Sequence, residues 1–213
     1  MAIMLSAGSR ELVPAGLQLC ICTEMIELGT SVDTFQGESK RRRKVWLAFE
    51  AVDEERTDAE GNPYRLSIGS TYTASLGKEA TLRKSLEAWR NKPFTMDELK
   101  AFDLKNVLGA ACNITVTHQS KTDGSGVTAK ISSISPLGKS QTKPEQMNPT
   151  KLFEFDKFDE AILDTLPEFL QKEIRRSEEF ELHSAPKFTG HGSQQQPGFK
   201  SVFDEDESND LPF

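Results

Sequence analysis

The 213-residue sequence predicts a mainly β domain: a five-stranded barrel with a helical insertion between strands 3 and 4, then C-terminal helices and a disordered tail. Three observations support this prediction. Apolar residues alternate with period two in five segments, one segment between the third and fourth shows helical periodicity, and the C-terminal end shows neither period. The hydrophobic fraction, 36%, is low for a wholly folded chain and also indicates a disordered part.

The net charge of −7 is unevenly distributed. Residues 1–150 hold 19 Lys and Arg against 18 Asp and Glu, whereas residues 151–213 hold 7 against 15. The whole-chain charge therefore does not exclude a nucleic-acid partner for the front domain. No apolar run approaches the ~18 residues of a membrane span, and Met1–Leu5 is too short for a signal peptide. We expect a cytoplasmic protein and no membrane partner.

The first predicted strand runs from Leu17 to Leu28, with Leu17, Leu19 and Ile21 facing inward. The apolar residues change parity before Ile26, which predicts a bulge near residues 23–25. Residues 29–39 are polar and are predicted to form a loop.

The second strand begins with five consecutive cations, Lys40, Arg41, Arg42, Arg43 and Lys44. Val45, Leu47 and Phe49 then alternate on one face, so the other face carries Lys40, Arg42, Lys44 and Trp46. Cations that meet phosphates, beside a flat ring on which a base can stack, are typical of single-stranded nucleic-acid binding. The alternative is a basic turn before an ordinary strand, with Trp46 covering a small satellite core.

The third strand has Tyr64, Leu66 and Ile68 predicted inward, with a bend at Gly69 before Tyr72. Residues 78–90 change to helical periodicity, which predicts that Leu82, Leu86 and Trp89 lie in the core. Thr95 and Glu98 have the spacing of a capping box for a short helix over residues 96–102. One more helical turn over residues 103–108 is predicted to end at Gly109.

The fourth strand has Cys112, Ile114 and Val116 inward, and Asp123-Gly124 turns it into a fifth strand with Val127, Ala129 and Ile131 inward. Five strands with a helix between the third and fourth is the order of the OB-fold, a small barrel that often binds oligonucleotides. A generic α+β sandwich fits the same order.

Four regions are predicted: a flexible N-terminus (1–11), the OB-fold domain (12–138), a linker with a helical extension (139–182), and a disordered tether with an acidic tail (183–213). The extension is helical over residues 156–176, with a second capping box at Thr165–Glu168. Its apolar stripe, Phe169, Leu170 and Ile174, is predicted to pack on the barrel or on a second copy, which leaves a homo-oligomer open.

The tail combines five acids with an apolar end that we expect to carry the terminal carboxylate. A merely solubilising tail has no need of a terminal aromatic ring, whereas a peptide that fills a partner's pocket does. The tail resembles that of bacterial single-stranded DNA-binding proteins, which is acidic and ends in Ile-Pro-Phe. The predicted partner-binding residues are Asp204, Glu205, Asp206, Glu207, Asp210, Leu211, Pro212 and Phe213.

The body resembles a group of phage-encoded single-stranded DNA-binding proteins. The matching stretches are Leu12–Gly16, Leu82–Lys84, Trp89-Arg90 with Lys92–Phe94, Phe102–Gly109 and Ser133–Leu137. The resemblance implies sequence-independent protection of single-stranded DNA in phage replication, recombination and repair. It also implies recruitment of partner proteins through the tail. An accessory recombination factor that anneals strands is the alternative within binding proteins.

The predicted DNA-binding residues combine the basic strand with outward positions on strands 3 and 5: Lys40, Arg41, Arg42, Arg43, Lys44, Trp46, Arg65, Tyr72, Thr128 and Lys130. Tyr72 is either a second stacking ring or a buried tyrosine. The phenylalanines of residues 153–180 are predicted to pack rather than to stack on bases.

No catalysis, cofactor or metal is predicted. Lys121–Gly124 matches the Lys-x-Asp-Gly of nucleotidyltransferases, whose lysine is adenylated, but the tetrapeptide lies where a hairpin turn is expected anyway. Cys20, Cys22, Cys112 and His118 lack the paired spacing of a zinc site. The three cysteines are therefore predicted to be buried free thiols.

Overall fold

The structure is a computed structural model that describes residues 11–35, 38–122 and 124–184. It is mainly β, with a few short helices. The strands are β1 (Gly16–Phe35), β2 (Glu38–Thr57), β3 (Pro63–Thr73), β4 (Ala111–Ser120), β5 (Val127–Ser135) and β6 (Lys151–Phe153). The α-helices are α1 (Thr81–Arg90), α2 (Met96–Lys100), α3 (Glu160–Thr165), α4 (Glu168–Arg175) and α5 (Glu178–Ser184). Short 3₁₀ helices cover Leu104–Val107 and Phe155–Lys157.

Five strands form one antiparallel sheet in the order β3-β2-β1-β4-β5, and β6 pairs with β1 in parallel. The outer strands β3 and β5 are not hydrogen-bonded neighbours, although parts of them come within 8 Å of each other. Helix α1 contacts both of these strands. The predicted order of strands and helices is therefore confirmed up to residue 135.

The β1–β2 hairpin is much longer than predicted, and the loop predicted over residues 29–39 is wrong. β1 continues to Phe35 and β2 starts at Glu38, with continuous pairing from Thr30 opposite Arg43 to Phe35 opposite Glu38. Polar residues here still form strands because hydrogen bonds and ion pairs across the hairpin, such as Thr34 to Ser39 and Lys44 to Asp33, replace apolar packing. We call residues 30–35 and 38–44 the basic arm.

The predicted bulge in β1 is confirmed, since the register shifts between Cys22 and Glu24 and again between Glu27 and Gly29. The predicted inward parity before the bulge is only partly right. Ile21 is fully buried, but Leu17 is exposed and Leu19 half-buried, whereas Cys20 and Cys22 enter the main core. Small buried thiols behave as apolar groups, so the larger aliphatic side chains did not mark the inner face.

The main core lies between the sheet and α1. Leu82, Leu86 and Trp89 of α1 are buried as predicted, and the Trp89 indole N–H donates to the Ala111 carbonyl at 2.9 Å. On β2, Val45, Leu47 and Phe49 face this core as the alternation predicts. The structure corrects two other inward predictions, because Tyr64 and Val127 lie at strand ends and are exposed.

A second core covers the opposite face of β1. Ile26 and Leu28 pack there against buried residues of β6, α3 and α4, and Trp46 of β2 packs against the same cluster. The C-terminal extension therefore lies on the sheet, as one of the two predicted placements requires. β6 and α5 were not apparent from the sequence periodicity.

Helix ends follow the predicted signals in one case and not in the other. The Thr95–Glu98 capping box forms at α2. The box predicted at Thr165–Glu168 does not: Pro167 precedes α4 without a side-chain cap, and the Thr165 hydroxyl donates to the Ile162 carbonyl instead. Thr165 ends α3, so its hydroxyl bonds within its own helix.

The fully buried carboxylate of Glu50 joins the extension to the sheet. It accepts hydrogen bonds from the Arg65 guanidinium at 2.9 Å and from the backbone N–H groups of Met147 and Asn148 at 3.0 and 2.6 Å. The Asn148 side chain in turn pairs with the edge of β3: it accepts from the Arg65 N–H at 2.9 Å and donates to the Arg65 carbonyl at 2.8 Å. These hydrogen bonds form one cluster around Glu50 that connects β2, β3 and the start of the extension.

Replacing Glu50 with alanine should lower the free energy of unfolding by about 3–5 kcal/mol, because it leaves a largely buried guanidinium unpaired. Urea denaturation followed by circular dichroism measures this. The matched control is Glu38→Ala, which removes the exposed Lys40–Glu38 ion pair and should cost about 0–1 kcal/mol. Equal costs for the two variants would show that the Glu50 cluster does not stabilise the fold.

Candidate nucleic-acid interface

A groove of about 1370 Å³ lies between the unpaired edges of β3 and β5. Its floor includes Trp46 and Ala48 of β2, and its first wall is the β4–β5 hairpin with residues 125–131. The second wall comes from the C-terminal extension, with Asn148, Pro149, Lys151, Pro167 and Phe169. The groove thus brings together parts of the chain that are more than 100 residues apart.

Three lysines line the groove within the described part of the chain. Lys121 and Lys130 are exposed, and neither has a carboxylate partner among the residues that the structure describes. Lys151 lies on the opposite wall, and its Nζ is 3.5 Å from a Glu24 carboxylate oxygen. Among the described residues, the hairpin wall is therefore the side whose lysines have no carboxylate partner. Lys130 and Thr128, both predicted on β5, lie in this groove.

Two exposed aromatic rings also line the groove: Tyr64 is 40% exposed and Phe169 is 45% exposed. Neither was predicted as a stacking ring. The alternation placed Tyr64 inside, and Phe169 belonged to a stripe predicted to pack. Phe169 directly precedes Leu170 and Ile174, which are four residues apart and share one face of α4. Because adjacent residues of a helix point in different directions, this spacing was the one sequence signal that Phe169 lies off the buried face.

Trp46 lies between β3 and the extension rather than on an open surface. A side chain at Gly69 would collide with its ring, and Phe169 meets it edge-on with ring centroids 5.3 Å apart. The ring is half-buried, and its Nε1 has no hydrogen-bond partner in the described part of the chain. This agrees with the alternative in which Trp46 covers a satellite core, while the ring still lines the groove floor.

The basic arm is largely neutralised by its own neighbours. Four of its cations form ion pairs: Lys40 with Glu38, Arg41 with Glu178, Arg43 with Glu27 and Lys44 with Asp33. Arg42 is exposed and has no ion pair within residues 11–35, 38–122 and 124–184. Among the five cations of the arm, Arg42 is thus the one that no carboxylate of the described residues neutralises.

Arg65 and Tyr72 are placed differently from an accessible DNA contact. The alternation predicts that Arg65 points away from the main core, and it does. Its side chain is nevertheless only 12% exposed, because its guanidinium donates to the Glu50 carboxylate and to the Glu145 carbonyl. Tyr72 is buried in the main core, which raises the pKa of its hydroxyl. The structure therefore agrees with the buried alternative for Tyr72.

Lys121 is the candidate for adenylation, and the cysteines and His118 are the candidates for zinc binding. Lys121 is exposed at the hairpin, where its N–H donates to the Gly126 carbonyl, whereas adenylation needs a desolvated lysine. The cysteines are free and buried as predicted, and His118 contacts the Val13 carbonyl. Among the described residues, no group of His, Cys, Asp or Glu side chains could hold a metal ion.

The predicted partner-binding residues of the tail, within 204–213, lie outside the described residues.

No protein-family model, curated protein or solved structure matches this chain. In the described ranges, none of the helices is long and apolar enough to cross a membrane.

Native protein should react slowly with a thiol reagent such as DTNB at mildly alkaline pH. Burial raises the pKa of Cys20 and of Cys22 to about 12. Burial also raises the pKa of Cys112, so the reactive thiolates are scarce. All three thiols should react once guanidinium chloride unfolds the chain. Rapid labelling of any cysteine in the native protein would contradict the buried positions.

Proposed function

We propose that this chain binds single-stranded DNA without sequence preference and that the groove between β3 and β5 is the principal site. The observation that carries the proposal is the combination, in one groove, of exposed rings with two lysines that have no carboxylate partner in the described part of the chain. Lys121 and Lys130 supply positive charge, and Tyr64 supplies a flat apolar surface. These are the two components that sequence-tolerant binding of a single strand requires.

The proposed fold is a partly open OB barrel. The strand order β3-β2-β1-β4-β5, the approach of β3 to β5 and the contact of α1 with both support this assignment. In OB-folds the strand 2–3 face and adjacent loops bind oligonucleotides. The groove has β2 and β3 at its floor and the β4–β5 hairpin as one wall, so it occupies the corresponding place.

The basic arm extends the proposed path of the strand. Trp46 pairs with Thr71 and Lys44 pairs with Thr73, so the groove floor continues directly into the arm. Phosphates there would compete with Glu27, Asp33 and Glu178 for the cations. We therefore assign to the arm a smaller contribution to affinity than its five cations suggest, led by Arg42.

The proposed biological role is protection of exposed single strands during phage replication, recombination and repair. It rests on the sequence resemblance of the body and on the groove. Partner recruitment through Leu211-Pro212-Phe213 and the preceding acids rests on the sequence alone. A cytoplasmic location follows from the same proposal.

The proposal is tested by titrating the chain with fluorescently labelled oligo-dT over a range of salt concentrations. Each phosphate contact to a single strand contributes about 0.7 to the slope of log affinity against log salt. Lys121→Ala with Lys130→Ala should therefore reduce the slope by about 1.4 and weaken binding at low salt.

The matched control is Lys100→Ala on α2, an exposed lysine that pairs with Asp97 and does not line the groove. It should leave both affinity and slope unchanged. An unchanged slope in the double variant, or an equal loss in the control, would remove the groove as the binding site. Failure of the unmodified chain to bind oligo-dT would overturn the proposed function itself.

A further inference from the structure

We infer that the C-terminal extension is part of the nucleic-acid site, with Phe169 as a base-stacking ring on its wall of the groove. This inference rests on the proposed function. It goes beyond that function because the sequence predicts DNA binding for residues 12–138 alone and only packing for the extension. The occupant is a single DNA strand, whose phosphates fit the two exposed lysines, Lys121 and Lys130, on the facing wall.

The position of Phe169 on α4 separates it from the packing residues beside it. Leu170 and Ile174 are fully buried in the second core, whereas Phe169 projects into the groove and remains 45% exposed. Burial of the helix therefore does not require this ring. Lys121 and Lys130 line the facing wall of the same groove, so a strand that lies in the groove would meet both positive charge and this ring.

Contact with Trp46 holds the Phe169 ring in place. The two rings meet at 72°, with centroids 5.3 Å apart, and the Trp46 ring is itself held against Gly69. A ring fixed before the ligand arrives loses little conformational entropy when a base stacks on it. The arrangement therefore favours stacking on Phe169 rather than on Trp46, which has less exposed surface.

The wall that carries Phe169 is fixed to the sheet at two points. The Asn148 carboxamide pairs with the backbone of Arg65 on β3, and residues 151–153 pair with β1 as β6. Lys151, the first residue of β6, lines the groove, although Glu24 partly neutralises it. These two attachments hold this wall of the groove on the sheet.

The test compares Phe169→Ala with Leu182→Ala and Tyr64→Ala in oligo-dT titrations, with the melting temperature of each variant measured in parallel. Leu182 is the matched control, an apolar residue of the same extension that is 78% exposed and does not line the groove. Phe169→Ala should weaken binding about 10-fold or more, with little change in melting temperature, and Leu182→Ala should have no effect.

The outcomes separate this inference from the proposed function. If the unmodified chain binds and Tyr64→Ala weakens binding while Phe169→Ala does not, the groove binds DNA but the extension is not part of the site. If Phe169→Ala tightens binding, the ring covers Trp46 as a lid, which also overturns the inference. If the unmodified chain does not bind, the proposed function fails first.

Discussion

The buried carboxylate of Glu50 is the constraint on which the arrangement of this molecule depends. A fully buried charge is stable only when it is paired and hydrogen-bonded, and Glu50 finds its partners on two separate segments. Arg65 belongs to β3, whereas the N–H groups of Met147 and Asn148 belong to the segment that leaves the sheet after β5. Satisfying this one charge therefore fixes where the C-terminal extension begins, and with it one wall of the groove.

The charges that remain accessible follow from the same packing. Once the extension lies on the sheet, α5 brings Glu178 to Arg41 and Glu179 to the N–H of Thr30, so the arm is partly neutralised and its edge is hydrogen-bonded. The groove lysines on the hairpin have no such neighbours in the described part of the chain. Positive charge and exposed rings thus occur together in the groove rather than on the arm, although the arm contains five consecutive cations.

Local patterns predicted most of the sheet and α1, because alternation and helical periodicity record which face of each element is buried. The sequence also pointed to Thr128 and Lys130. It could not predict Tyr64 or Phe169 in the groove. Tyr64 is exposed because it lies at the start of β3, and the position of Phe169 depends on the extension crossing the sheet, a contact between residues far apart in the chain. The same cause explains Arg65: its face was predictable, but its partner on β2 and the segment that covers it were not.

The central claim, that the groove is the binding site, is tested most directly by photochemical crosslinking of an oligo-dT that carries 5-iodouracil, followed by mass spectrometry of the crosslinked peptides. The structure predicts crosslinks to peptides that contain Tyr64 and Phe169, both reduced by unlabelled oligo-dT. Crosslinks confined to peptides of the basic arm, or to α1 and α2 outside the groove, would contradict it.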